Sequence, residues 1–178
     1  MSFKDVQHVI GRIDKLFFQS FSALIILGGA TICLTVVLEV VLRYIFKAPL
    51  FGLEEFSRTI AIWVYFLGAI FGTKYDGHVQ GDVAARLFPT PRSSALVKVV
   101  VWTLSLAACC LFLYHASTYS LWLYETGERT TGLWWPRITS VGSMAFGAVF
   151  MTLYSLVNVF KYLAATLAAF GRRGGESS

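Results

Sequence analysis

Four long apolar runs without a charged residue most constrain how this chain can fold. They cover residues 16–38, 59–73, 99–124 and 138–160. About 20 apolar residues cross a hydrocarbon core of about 30 Å, and the second run reaches that length if its helix begins near residue 53. Lipid offers the backbone no hydrogen-bond partner, so the runs should be helices. We therefore predict an all-α integral membrane protein with four transmembrane helices, at about 16–42, 53–74, 97–124 and 137–161.

Composition and charge support this class and exclude others. A 56% share of hydrophobic residues and 14% of charged residues do not suit a soluble domain of 178 residues. The net charge of +5 does not indicate nucleic-acid binding, because Lys and Arg stand at the ends of the apolar runs and not on one basic face. One membrane domain over residues 1–170 is expected, followed by a disordered tail at 171–178.

The distribution of Lys and Arg also predicts the orientation. Most of them lie before the first run, between the second and third, and after the last, so both termini should be cytoplasmic. Two short interfacial helices are expected on that side. One is an amphipathic helix within residues 1–15, and the other begins at Asp82 as its cap.

The predicted periplasmic side begins with charges at the end of the first span. Glu39 precedes Arg43 by four residues, which favours an ion pair on one helical face. A carboxylate within a membrane segment is also a candidate proton or cation site, and this alternative stays open. Glu54 and Glu55 fall in the first turn of the second span, where they complement the helix dipole, and Arg58 is four residues after Glu54. A network of Arg43, Glu54, Glu55 and Arg58 is expected to join the first two spans.

On the predicted cytoplasmic side, the second span carries Gly68 and Gly72. Their spacing suits close helix packing, although glycine is also common in membrane helices generally. His78 and Asp82 follow in the loop, too few to form a structural zinc site. No metal or cofactor is expected on this chain. His115 has no second membrane histidine for haem ligation and should be a packed or hydrogen-bonded residue.

Other polar or reactive residues do not form a catalytic group. The cysteines, at positions 33, 109 and 110, lie within apolar runs and are expected to act as small hydrophobic residues. The connection before the last span contains Glu125, Glu128 and Arg129, which could form a docking patch for another protein on the outer side. The tryptophans that follow suit an interfacial aromatic belt. No enzyme activity is predicted.

The polar residues of the segment from 43 to 82 also resemble those of a known family. The pattern consists of Arg43, Phe46, Pro49-Leu50, Glu54-Glu55, Arg58, Gly68, His78 and Asp82. In order and spacing it is similar to the small membrane subunit, DctQ-like or SiaQ-like, of tripartite ATP-independent periplasmic (TRAP) transporters. One position departs from that pattern: the family usually has Trp two residues before the Glu-Glu pair, where this chain has Gly52.

The resemblance implies an accessory scaffold subunit in a bacterial inner membrane. It would stabilise a large elevator-type subunit, which carries the sodium and substrate sites, and help to dock a periplasmic substrate-binding protein. The substrates would be organic acids such as C4-dicarboxylates, sialic acid or related carboxylates and sulfonates. His78 and Asp82 would then fix the inner loop. The alternative is a small homodimeric, proton-coupled exporter that uses Glu39.

Overall fold

The computed structural model describes residues 3–48, 50, 52–74 and 91–171, and this part of the chain contains four α-helices. They are α1 (Phe3–Tyr44), α2 (Leu53–Lys74), α3 (Pro91–Thr126) and α4 (Ile138–Gly171). Each contains a segment long and apolar enough to cross a membrane: Phe18–Tyr44, Leu53–Lys74, Val97–Thr126 and Ile138–Thr166. The predicted class, an all-α protein with four membrane-spanning helices, is confirmed.

The amino-terminal segment differs from the prediction. We expected a separate amphipathic helix before the first span, but α1 is continuous from Phe3 to Tyr44. No Pro or Gly pair interrupts the sequence between the amphipathic and apolar parts, so the backbone hydrogen bonds continue across their boundary. The second expected interfacial helix, near Asp82, and the tail from residue 172 lie outside the described residues.

Local sequence explains where the helices end and begin. After α1, Lys47 takes a left-handed conformation with φ of 52°, and the Ala48 amide donates to the Leu42 carbonyl. Gly52 has φ of 108°, which glycine adopts readily, and its carbonyl accepts the first hydrogen bond of α2, from Phe56. Gly127, with φ of 61°, follows the last residue of α3, the position at which a left-handed glycine commonly closes a helix.

The helices pack in the spatial order α1, α2, α4, α3. In the most apolar part of α4, 28% of residues are buried inside the protein, compared with 6% in α1 and α3. The last helix is therefore the central one, and large parts of the other helices face lipid or a partner. We call the end where α1 and α3 finish and α2 and α4 start the connection end, and the other the opposite end.

Small and hydroxyl side chains bring the helices together. A Cβ atom added to Gly28 would lie 2.5 Å from Val64, and one added to Gly147 would lie 2.8 Å from Phe66. By contrast, a Cβ on Gly68 or Gly72 would meet nothing within 4 Å. The glycine spacing noted in α2 therefore does not serve packing within the described chain, and the close approaches occur at α1 and α4 instead.

Hydrogen bonds between helices add to this packing. Ser57 donates to Thr35 at 2.8 Å, which joins α2 to α1. Thr59 and Ser140 share a hydrogen bond of 2.9 Å between α2 and α4. The Trp63 indole N–H donates to the Thr139 carbonyl at 2.9 Å. These bonds all lie in the half of α2 nearer the connection end, so they hold that end in register.

Candidate functional site

The most organised polar contacts lie at the connection end and centre on Glu55. Its carboxylate accepts hydrogen bonds from the backbone amides of Gly132 and Leu133, each at 2.9 Å and each to a different oxygen. The Thr131 hydroxyl donates to it at 3.2 Å. Hydrogen bonds to an ionised carboxylate are stronger than those between neutral groups. Glu55 therefore fastens the α3–α4 connection to the first turn of α2.

The connection that Glu55 fastens is itself ordered by backbone bonds. The Thr130 amide donates to the Trp135 carbonyl at 2.8 Å, and the Arg137 amide donates to the Glu128 carbonyl at 3.0 Å. The Arg137 guanidinium also pairs with the Glu128 carboxylate at 2.8 Å. Residues 128–137 thus form a compact turn with short antiparallel pairing, which we call the outer turn.

The tip of the outer turn presents aromatic and apolar groups. Trp134 is 70% exposed and has φ of 56°, a conformation that a bulky residue seldom adopts. Leu133 packs against the α1–α2 connection, because a Cβ on Gly52 would lie 2.8 Å from its Cγ. The Phe56 and Trp135 rings are 6.1 Å apart. The turn is therefore positioned by α2, while most of the Trp134 side chain remains exposed.

The sequence predicted the pairing of Glu54 with Arg58, and the structure confirms it. Both side chains are exposed, and they form an i,i+4 ion pair along α2. The other predicted contacts of the charged network are not formed. Among the described residues, neither Glu39 nor Arg43 has an ion pair, and Glu55 contacts the outer turn and not Arg43. The network joins α2 to the α3–α4 connection, and it does not join α1 to α2.

The partner of Glu55 was predicted wrongly because its true partners are far from it in the sequence. Sequence spacing reveals neighbours on one helix, such as Glu54 and Arg58, but not that Glu55 meets amides 77 and 78 residues later. The sequence does contain one indication of this contact, namely the turn-forming group Thr130, Thr131 and Gly132. Amides at a turn commonly need a partner, and an acidic residue at a helix start can supply one.

A cavity of about 310 Å³ lies beside the Glu55 contacts. It opens between α2, the outer turn and the start of α4. Its wall combines three arginines with hydroxyl and aliphatic side chains: Glu55, Arg58, Thr59, Ile62, Arg129, Thr130, Thr131, Arg137, Ser140 and Val141. Arg58 and Arg137 are already paired with carboxylates, so Arg129 is the wall cation that has no ion pair among the described residues. The recess could receive a polar or acidic group from another protein.

Of the docking residues suggested by the sequence, only Arg129 lines this cavity. Glu125 is exposed at the end of α3, Glu128 is held by Arg137, and Arg129 lines the cavity. His78 and Asp82 lie outside the described residues. No group of three or more His, Cys, Asp or Glu side chains that could hold a metal occurs in the described part of the chain.

The remaining polar residues of the spans have simple surroundings. We predicted that His115 would be packed or hydrogen bonded; it is exposed, and its ring meets Tyr114 edge-on at 5.3 Å. All three cysteines are free thiols. Cys109 makes a weak contact of 3.7 Å with the Ser155 hydroxyl.

Comparison with known proteins supports the interpretation based on the polar pattern. The family described as the DctQ component of tripartite ATP-independent periplasmic transporters matches residues 32–165. A Haemophilus influenzae protein, provisionally named a TRAP transporter small permease protein, is 34% identical over 110 residues. That alignment covers 62% of this chain and 63% of the relative, so the chain spans less than two thirds of the relative's length.

Proposed function

Because this chain belongs to the DctQ family of TRAP transporter components and is a multi-pass protein of the bacterial inner membrane, we propose that it is the accessory scaffold subunit of a sodium-coupled organic-acid importer. It stabilises a large elevator-type subunit and helps to dock a periplasmic substrate-binding protein. The family resemblance supports sodium coupling and the substrate class, namely C4-dicarboxylates, sialic acid or related carboxylates and sulfonates. Sodium binds the large subunit, and this chain holds no cofactor.

One observation favours a scaffold over a carrier. The apolar runs contain no charged residue between their ends, whereas secondary carriers bind substrate and ions near the midplane, often at broken helices. Among the described side chains, the carboxylates lie at or near the connection end, where Glu54 and Glu128 are ion-paired and Glu55 accepts backbone hydrogen bonds. With both termini in the cytoplasm, that end faces the periplasm, and the outer turn with Glu125, Glu128 and Arg129 meets the binding protein.

The surface for the large subunit follows one face of α2. Glu54 and Arg58 stand on this face at the connection end, and Tyr65, Gly68 and Gly72 continue it at helical spacing. All five residues are exposed, and Tyr65 is 73% exposed. The exposed face of α1 consists mainly of aliphatic side chains, and that of α3 carries both aliphatic and aromatic side chains, which suit lipid and its interface. Small residues permit close helix approach in membranes, so the α2 face suits a partner helix. Arg43, which has no ion pair among the described residues, adds a cation at the same end.

Co-purification of the two membrane subunits tests this proposal. Gly68→Leu/Gly72→Leu should reduce recovery of the large subunit and uptake in proteoliposomes supplied with the binding protein. Gly29→Leu on α1 is the matched control, because a Cβ there also meets nothing within 4 Å, and it should leave both unchanged. Arg43→Ala/Glu54→Ala should weaken assembly less. Isolation of an active homodimer that needs no large subunit and is inactivated by Glu39→Gln would contradict the scaffold function.

A further inference from the structure

A second polar cluster, at the opposite end, is independent of the function proposed above. Lys98 of α3 and Lys161 of α4 both face the ring of Tyr162, each with its Nζ atom 5.5 Å from the ring centroid. The ring is held in place by Trp102, which is 5% exposed and stacks on it at 6.4 Å with an interplanar angle of 13°. Two ammonium groups from adjacent helices thus converge on one fixed ring.

The ring alone does not balance two positive charges. Cation–π attraction requires the cation within about 6 Å of the centroid, so both lysines lie near that limit. Lys74 provides a comparison, because its Nζ lies only 3.2 Å from the Phe18 centroid. Like charges near a surface of low dielectric repel one another. The pair of lysines therefore needs an anion more than Lys74 does.

The described part of the chain supplies no such anion at this end. Its described carboxylate side chains belong to Glu39, Glu54, Glu55, Glu125 and Glu128, and all of them lie at or near the connection end. Lys98 and Lys161 have no ion pair among the described residues. Within the described part of the chain, the two ammonium charges are therefore not offset by a carboxylate, and a negative group can bind there.

The position of the lysines identifies the class of anion. Lys98 is the second residue of the spanning segment Val97–Thr126, and Lys161 is in the last turns of Ile138–Thr166. Both lie near the end of an apolar spanning segment, at the level where the hydrocarbon core meets the headgroups. We propose that Lys98, Lys161 and Tyr162 form a binding site for the phosphate of an anionic phospholipid. A zwitterionic lipid is less suitable, because its own ammonium group cancels the phosphate charge.

Native mass spectrometry of the full chain in detergent tests this site with two probes, dioleoyl phosphatidylglycerol and dioleoyl phosphatidylcholine. Phosphatidylglycerol should bind more tightly. Each lysine near an anionic lipid contributes about fivefold in affinity, so Lys98→Gln/Lys161→Gln should weaken binding roughly 25-fold. Lys98→Arg/Lys161→Arg should retain it, because arginine keeps the charge and binds phosphate well.

The control removes the same charge elsewhere. Arg43→Gln/Lys47→Gln, at the connection end, should leave phosphatidylglycerol affinity unchanged. If the double glutamine variant does not fold, Lys161→Gln alone, which alters an exposed side chain, should still show about a fivefold loss. Equal affinity for the two lipids would overturn the proposal, as would an equal loss in the control. Inorganic phosphate that binds as tightly as phosphatidylglycerol would overturn the assignment to a lipid.

Discussion

The two ends of this helical bundle are held together by different kinds of contact. At the connection end, carboxylates, hydroxyls and backbone amides form directional bonds, with Glu55 joined to Gly132 and Leu133. At the opposite end, rings and lysines pack together: Phe18 meets Phe71 at 4.8 Å and Tyr154 at 5.8 Å, and Lys74 covers Phe18. The first kind fixes atoms in one arrangement, while the second allows rings and cations to shift.

This difference fits the different tasks proposed for the two ends. A surface that receives another protein benefits from groups fixed before binding, since fewer of them must be ordered on contact. An end that contacts lipid needs apolar bulk with cations near the headgroups, and side chains with an apolar stem and a polar tip supply both. The same comparison predicts where single substitutions should do most harm.

The largest effect should come from Gly52, which combines a special backbone conformation with a close contact. Gly52→Ala places a side chain at φ of 108° and about 2.8 Å from Leu133. A residue held in such a backbone region costs about 1–3 kcal/mol. The thermal unfolding midpoint in detergent should fall clearly.

Substitutions at two other glycines separate the backbone cost at Gly52 from the cost of its contact with Leu133. Gly127 also has positive φ but no neighbour within 4 Å of an added Cβ, so Gly127→Ala should cost less. Gly68→Ala, in open helical surroundings, should change stability by no more than about 0.5 kcal/mol. If Gly68→Ala lowered the thermal unfolding midpoint as much as Gly52→Ala does, the connection end would not be the more rigid of the two ends.

Gly52 is also where the sequence departs from the family pattern, and the structure gives a physical reason. The usual Trp would need a positive φ that bulky residues avoid, and its Cβ would overlap Leu133. In this chain, the outer turn places Leu133 in the space above Gly52. The departure is thus accommodated by packing between the two connections.

The second effect is local and concerns Glu55. Glu55→Gln leaves one carbonyl oxygen, so the Gly132 and Leu133 amides can no longer each donate to a carboxylate oxygen. Hydrogen exchange at these two amides should become roughly tenfold faster, because local opening requires less free energy. Hydrogen exchange mass spectrometry over residues 128–137 measures this.

The adjacent residue provides the matched control for Glu55. Glu54→Gln removes the exposed ion pair with Arg58 and leaves both amide bonds intact, so exchange in the outer turn should not change. Equal exchange rates in wild type and Glu55→Gln would show that the turn is held by its own backbone bonds and does not depend on α2.

Local patterns predicted the parts of the structure that depend on local sequence. The spans follow from continuous apolar runs, and the Glu54 and Arg58 pair follows from four-residue spacing. The Glu55 contacts could not be predicted in this way, because they join a helix start to a turn that approaches it only after the chain has crossed the membrane twice more. The lysine cluster around Tyr162 was missed for the same reason, since Lys98 and Tyr162 are on different helices.

The glycine spacing likewise could not identify which helices of the described chain approach each other closely. The spacing of Gly68 and Gly72 indicated a small-residue packing face, but spacing does not say which helix lies opposite. The described chain packs closely at Gly28 and Gly147 instead; Gly28 has no small residue at four-residue spacing, and Gly147 has only Ser143. Their role depends on Val64 and Phe66, which come from another helix.

The smallest of the three effects should occur at the opposite end, at Lys74. Lys74→Met keeps an unbranched apolar side chain but removes the ammonium group from the Phe18 and Tyr154 rings. Cation–π contacts at partly exposed sites are worth about 0.5–1 kcal/mol, so the thermal midpoint should fall only slightly. Lys74→Arg should restore it, because the guanidinium also stacks on rings. A fall for Lys74→Met larger than that for Gly52→Ala would reverse the comparison, and the aromatic end would then be the one that fixes the bundle.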